Sequence, residues 1–218
     1  MKTAIQIVKW LVTIFVPVVL ILASVRILMT PVFINLEYRL PYFPDDSYGF
    51  TREDRLYWSN LSRRYLVNST GIEFLSDLQF EDGTSFYNER ELRHMLDVKN
   101  VIRVAMIVMV SGLVIMVGAG VWAKRAGWWE EYKLALSRGG WLAVGLIAVV
   151  LVYLVFNFDS LFVTFHRIFF EGDTWLFKYS DSLIRLFPVV FWRDAFIWEG
   201  TLTLVGGLAT GYFFSRKK

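Results

Sequence analysis

Apolar residues are concentrated in four blocks of this 218-residue chain. Each block is close to the length of about 20 residues that a helix needs to cross the hydrocarbon core of a bilayer. A helix at the surface of a soluble domain carries polar residues on every turn, which these blocks mostly lack. The pattern therefore predicts an all-α membrane protein with four transmembrane helices, which cover residues 8–33, 101–123, 141–158 and 195–214.

The first block also resembles a signal peptide, because Lys2 and Lys9 lie at the start of its apolar run. The run is longer than the apolar part of a signal peptide, and no A-x-A-like cleavage site follows it. We therefore expect a first helix that stays in the protein.

Lysine and arginine residues near the ends of the blocks indicate an orientation. They occur near the N-terminus, in the segment 124–140, which carries Lys124, Arg125, Lys133 and Arg138, and at the C-terminus, which ends in Arg216, Lys217 and Lys218. In a chain with four spans, these three regions share one side of the membrane, and the positive-inside rule makes that side the cytoplasm. Both termini are then predicted to be cytoplasmic, and residues 34–100 and 159–194 face outward.

The two outward segments differ in composition. Residues 34–100 are too long and too charged for a simple connector, and we expect an extracytoplasmic cap with a helix in "TREDRLYWSNLSRRYL" and turns at "PYFPDD" and "EDGTS". Residues 159–194 contain ten aromatic residues, which favours the membrane interface. They form either an aromatic belt or a lining for lipid chains. Within them, a short helix is predicted to start at Ser180 or Asp181 and to end before Pro188.

Composition excludes several classes of chemistry. The chain has no cysteine, so disulfides, thiol nucleophiles and cysteine-based metal sites are excluded. The net charge of +3 comes without a basic stripe interleaved with aromatics, so nucleic acid is not an expected partner. No G-x-S-x-G nucleophile elbow occurs. Polar residues do not run through the middle of the spans, which argues against a transporter.

The chain has only two histidines, His94 and His166, and both fall on the outer side just beyond a predicted span. They are either structural groups at the interface or parts of one site. Asn88 and Glu91 resemble a helix capping box, and Glu91 and Asp97 lie three residues on either side of His94. Glu91-x-x-His94 has the spacing of some metal ligands, but no second such cluster exists, and we expect no metal.

Charged residues near the outer ends of the spans are a further class of candidates. Arg26 interrupts the first block, and Arg103 and Glu199 lie near the ends of the second and fourth. Such residues either extend towards water or bind an anionic headgroup or substrate.

Three runs carry a resemblance to a known family: "FYNERELRHMLDVKNV", "FHRIFFEGDTWLF" and "SDSLIRLFPVVFW". Together with the order of the spans, they resemble the bacterial lipoprotein intramolecular transacylase (Lit) family over essentially the whole chain. The resemblance implies an acyltransferase without a cofactor, on the outer face of the cytoplasmic membrane of some Gram-positive bacteria. Its substrate is a lipoprotein whose N-terminal cysteine carries a diacylglyceryl group, and the sn-2 acyl chain moves from the glycerol ester to the α-amino group.

By motif position, the resemblance makes His94 and His166 the catalytic residues. The residues expected to support them or to orient the substrate are Tyr87, Asn88, Glu89, Glu91, Asp97, Arg167, Trp175, Trp192 and Arg26. Membrane lipid is a further expected partner. An α-amino group with a pKa of about 7.7–8.0 must lose a proton before it attacks an ester, and a histidine can accept that proton. The second histidine can hydrogen-bond the carbonyl oxygen or protonate the leaving glycerol oxygen.

We expect His94 to be the base, because Glu91 and Asp97 would raise its basicity. Two alternatives remain open at this point: a non-catalytic assembly partner in the membrane, and an interfacial hydrolase that releases the acyl chain.

Overall fold

The computed structural model describes residues 2–215, so the basic residues Arg216, Lys217 and Lys218 lie outside the described residues. Within residues 2–215 the protein is all-α, as predicted, and the only strand-like pairing is an isolated bridge between Gln79 and Ser85. The helices are α1 Lys2–Leu28, α2 Pro31–Glu37, α3 Arg52–Val67, α4 Glu73–Ser76, α5 Glu89–Arg125, α6 Trp129–Phe169, α7 Ser182–Leu186 and α8 Val189–Ser215.

Among the described residues, three helices are long and apolar enough to cross a membrane: α1, α5 and α6. α8 is as long as α1 but is not among the three. Glu199, Thr201 and Thr203 interrupt its apolar sequence. Four spans therefore remain a prediction.

The chain forms two compact units. The first contains the residues up to Ile27, those of 105–156 and those from Ile197 onward, and the second contains 28–104 and 157–196.

In the first unit, α1, α5 and α6 share an apolar core in which Val12 and Val16 meet Ala119 and Ala123. α5 and α6 are joined by a turn of only three residues, in which Gly127 has a φ of +76°. The Trp128 N–H donates to the Ala123 carbonyl and closes the end of α5. The connector is thus much shorter than the predicted segment 124–140, because helix propagates from both sides until the glycine stops it.

The second unit begins where the predicted first span breaks. α1 ends at Leu28 and α2 starts at Pro31, because proline lacks the N–H that would continue the helix and holds Thr30 in an extended conformation. α3 occupies the predicted helical run and starts with a capping box between Thr51 and Asp54. α7 starts after Asp181 and ends before Pro188, as predicted.

α6 extends beyond the predicted third span and is kinked at Asn157, whose φ of −156° and ψ of 61° are not helical. The Asn157 side chain accepts a hydrogen bond from the Ser160 N–H at 3.3 Å, so it caps the segment that follows. Residues 159–169, predicted as part of an interfacial connection, therefore form an additional stretch of helix, which carries His166.

Candidate active site

Both histidines belong to the second unit, and local signals in the sequence position each of them. Asn88 caps α5: its side-chain oxygen accepts from the Glu91 N–H, and its own N–H donates to the Glu91 carboxylate at 2.8 Å. The predicted capping box is therefore present. It starts the helix so that His94 lies in the second turn, with only 7% of its surface exposed.

His166 lies in the last turn of α6 and is 8% exposed. Its Nδ1 is 2.8 Å from the carbonyl oxygen of Phe162. A carbonyl oxygen only accepts hydrogen bonds, so Nδ1 carries the hydrogen. In the neutral ring, Nε2 then holds a free lone pair.

The two imidazoles face one another at short range. Their ring centroids are 6.2 Å apart and their planes differ by only 21°. Because both rings are buried, a small group that enters between or beside them contacts two nitrogen-bearing rings at once.

Aromatic side chains surround the pair. The Phe170 ring lies 4.8 Å from that of His94 and 5.5 Å from that of His166, so it forms a wall common to both. Phe177 lies 5.4 Å from His94, and Trp175 lies 4.9 Å from His166. The surroundings are therefore apolar and keep bulk water away from the imidazoles.

Burial governs the protonation of both rings. Burial, and to a smaller extent the charge of His166, lowers the pKa of His94 to about 4. Burial also lowers the pKa of His166, although the hydrogen bond to Phe162 acts in the opposite direction. Both shifts favour the neutral imidazole, which carries one N–H donor and one ring nitrogen with a free lone pair.

Our expectation that Glu91 and Asp97 raise the basicity of His94 is wrong. The Glu91 carboxylate accepts backbone hydrogen bonds from Asn88, at 2.8 Å, and from Leu183, at 2.6 Å. It thus connects the start of α5 to α7. Burial raises the pKa of Glu91 to about 7, and the two backbone N–H groups limit that rise. Asp97 lies one turn beyond His94 and is half-buried.

Comparisons with known proteins identify the family. The family model for lipoprotein intramolecular transacylase, Lit, matches residues 10–192.

The chain belongs to the Lit family.

Solved structures of a Lit protein share the fold. The membrane-integral lipoprotein intramolecular transacylase Lit from Bacillus cereus has a TM-score of 0.82 at 18% identity, covering 99% of this chain and 96% of that chain. The same protein with a histidine replaced by alanine has a TM-score of 0.72 at 18% identity, covering 98% and 93%. An uncharacterised protein from Aquifex aeolicus (strain VF5) is 30% identical over 186 residues, 85% of this chain and 82% of that one. Family membership and the apolar helices make this protein an acyltransferase of the membrane.

The other residues that we singled out for the Lit reaction have diverse positions. Tyr87 is buried, and its hydroxyl pairs with Ser62 at 2.6 Å, which fits a role in supporting the second unit. Glu89 and Arg167 are exposed. Trp192 is 37% exposed and packs on Phe191. Arg26 lies in the last turn of α1, which belongs to the first unit.

Sequence reasoning missed three features of the second unit. Phe170 touches both histidines, and its position one turn after His166 is the signal that could have found it. Lys99 is buried and donates to Asn68 and to the Thr70 carbonyl. Glu37 and Asp194 are both buried, and burial, followed by the nearby Asp194 carboxyl group, raises the pKa of Glu37.

Cation-binding side chains are dispersed. Among the described residues, no three histidine or acidic side chains lie close enough together to hold a metal ion.

Proposed function

We propose that this protein converts a diacylglyceryl-cysteine lipoprotein into its lyso form by moving the sn-2 acyl chain from the glycerol ester to the N-terminal α-amino group. The single observation that carries the proposal is the facing pair of buried, neutral imidazoles, 6.2 Å apart, in a chain of the Lit family. Two neutral histidines supply one proton acceptor and one proton donor.

His166 is the base. Because its Nδ1–H is engaged with the Phe162 carbonyl, its Nε2 lone pair is available to take the proton from the α-amino group as that nitrogen bonds to the ester carbonyl carbon. The low basicity of His94 argues against our expectation that His94 takes this proton. His94 instead serves the oxygen side of the reaction: it passes the proton that His166 has taken on to the glycerol oxygen as the C–O bond breaks. Both rings are then neutral again, so nothing is consumed.

The aromatic rings around the two imidazoles favour acyl transfer over hydrolysis. Amine and ester belong to one substrate molecule, so the enzyme needs only to fold that molecule so that they meet, which contributes several kcal/mol to lowering the barrier. Phe170, Phe177 and Trp175 limit the access of water, which would otherwise attack the ester.

The membrane arrangement completes the proposal. α8 is the fourth span, both termini are cytoplasmic, and residues 34–100 form a cap on the outer side of the cytoplasmic membrane. The histidines then lie at the level where the ester bonds of a membrane-anchored lipoprotein occur. The partners are the diacylated lipoprotein and the surrounding lipid.

His166→Ala and His94→Ala test the proposal directly. We expect each to lower the rate of acyl transfer by at least about 10²-fold, since each removes one proton-transfer group. The assay is mass spectrometry of a diacylated reporter lipopeptide, in which transfer leaves the total mass unchanged and places one acyl chain on nitrogen.

The control is Tyr179→Phe, which alters an exposed ring and should retain full activity. Unfolding temperatures in detergent establish that the histidine variants fold. Full activity in both histidine variants would refute the assignment, and a product lighter by one fatty acid would make the protein a hydrolase instead.

A further inference from the structure

Two buried nitrogens at the histidine site have no hydrogen-bond partner among residues 2–215: Nδ1 of His94 and Nε1 of Trp175. Buried polar atoms in proteins have a partner in about 90% of cases or more. Two exceptions in one place indicate a site that receives a polar group from a ligand. His94 already has a role in the proposed reaction, whereas the indole nitrogen has none.

The indole nitrogen restricts what that group can be. A tryptophan N–H only donates hydrogen bonds, so its missing partner is an acceptor. An α-amino group that is losing its proton does not offer a stable acceptor. The ester carbonyl oxygen does, and it becomes more negative as the nitrogen adds to the carbonyl carbon.

The chain holds Trp175 against His166 by a defined turn. The turn contains Gly172, with a φ of +67°, and a hydrogen bond from the Leu176 N–H to the Asp173 carbonyl at 3.0 Å. The Arg90 side chain donates to the Leu176 carbonyl, also at 3.0 Å, and so ties this turn to the start of α5. The indole and imidazole planes differ by 35°, with centroids 4.9 Å apart.

We propose that Trp175 is a catalytic residue whose indole N–H donates a hydrogen bond to the carbonyl oxygen of the migrating acyl chain. This inference rests on the proposed transacylase reaction. As the nitrogen–carbon bond forms, the carbonyl π electrons move to that oxygen, and the N–H stabilises the charge. When the carbonyl re-forms, the carbon–oxygen bond to glycerol breaks. Trp175 exchanges no proton, so the atoms and charges balance between the two histidines and the substrate.

The decisive variant is Trp175→Phe, which keeps an aromatic ring beside His166 and removes the donor. The expected result is a fall in kcat of about 10²-fold with KM changed by less than about threefold, since the hydrogen bond strengthens only as charge develops. The matched control is Trp198→Phe, an exposed indole on α8, which should retain the wild-type kcat.

A second variant separates loss of the hydrogen bond from loss of the fold. Replacing Trp175 with 3-benzothienyl-alanine keeps the shape of the indole but substitutes sulfur for N–H, and kcat should fall to the same extent. Wild-type kcat in this replacement would overturn the inference. If the wild-type protein itself moved no acyl chain to nitrogen, the proposed function would fail. If the wild type were active and the Trp175 variants were equally active, only the proposed role of Trp175 would be refuted.

Discussion

The two units of the molecule are held together by different means. In the first, helices approach at glycines, and side-chain hydroxyls bond to the backbone of a neighbouring helix: Ser137 donates to the Gly211 carbonyl at 2.8 Å. In the second, aromatic rings stack and charged side chains are buried. The Trp58 and Phe86 rings lie 4.0 Å apart, and Arg185 pairs with Asp46 at 2.8 Å.

This difference is the one expected between helices that pack in lipid and a unit that buries its side chains away from water. Helices in lipid gain little from burying apolar side chains, so close backbone contact and hydroxyl bonds hold them together. A unit stabilised by burial must instead pair each polar group that it encloses. We therefore expect the first unit to be most sensitive to added volume, and the second to the loss of a hydrogen-bonding atom.

The largest effect is expected from Gly140→Ala in the first unit. A Cβ at Gly140 would lie 2.4 Å from the Gly211 nitrogen and 2.7 Å from the Gly207 oxygen, and these backbone atoms cannot move aside independently. We expect a loss of about 3 kcal/mol of stability, measured by thermal unfolding in detergent. Gly145→Ala is the control, because nothing lies within 4 Å of its added Cβ. Equal unfolding temperatures for both variants would contradict close packing in this unit.

A smaller effect is expected from Glu91→Ala in the second unit. The change leaves the buried N–H of Leu183 and the partly buried N–H of Asn88 without their acceptor, at a cost of about 2 kcal/mol. Glu91→Gln retains one acceptor oxygen and should recover about half of that loss. The exposed neighbour Glu89→Ala serves as the control. If Glu91→Ala unfolded at the wild-type temperature, the connection between α5 and α7 would carry no stability.

The smallest effect is expected from Glu37→Gln, and it depends on pH. Burial, followed by the nearby carboxyl group of Asp194, raises the pKa of Glu37 well above its usual range. A group whose pKa is higher in the folded state contributes its full stabilisation at pH values below its unfolded-state pKa of about 4.5. That stabilisation is lost as the pH rises through the folded-state pKa. Glutamine mimics the protonated acid and should flatten that decline.

The measurement for Glu37→Gln is the unfolding temperature between pH 5 and 9. The unfolding temperature of the variant should rise relative to that of the wild type as the pH increases. Glu53→Gln, at an exposed site on α3, should follow the wild-type curve. A Glu37→Gln curve parallel to that of the wild type would exclude the ionisation of Glu37 as the cause of the pH dependence.

Local signals made part of this structure predictable. Asn88 and Glu91 are three residues apart, and Asp181 directly precedes α7, so the starts of these two helices were found from the sequence. The nearness of His94 and His166 could also be anticipated, because each lies just beyond the outer end of a predicted span.

Long-range contacts were not predictable in this way. The Leu183 N–H that donates to Glu91 lies 92 residues further along the chain than Glu91. Because this bond was not foreseen, the carboxylate was interpreted as a partner for His94. The burial of Lys99 could not be foreseen either, because its acceptors, at Asn68 and Thr70, belong to a distant loop. The extra helix after Asn157 was missed because its aromatic-rich sequence indicated an interfacial connection. The Asn157 side chain that caps this helix is a single-residue signal.

The hydrogen bond that fixes the tautomer of His166 has an evolutionary consequence. Its acceptor is the backbone carbonyl of Phe162, one helical turn earlier. Every amino acid presents the same carbonyl, so no substitution at position 162 removes the acceptor while the helix persists. The position of the proton on His166 is therefore determined by the helix itself, and the side chains around this ring can change without altering it.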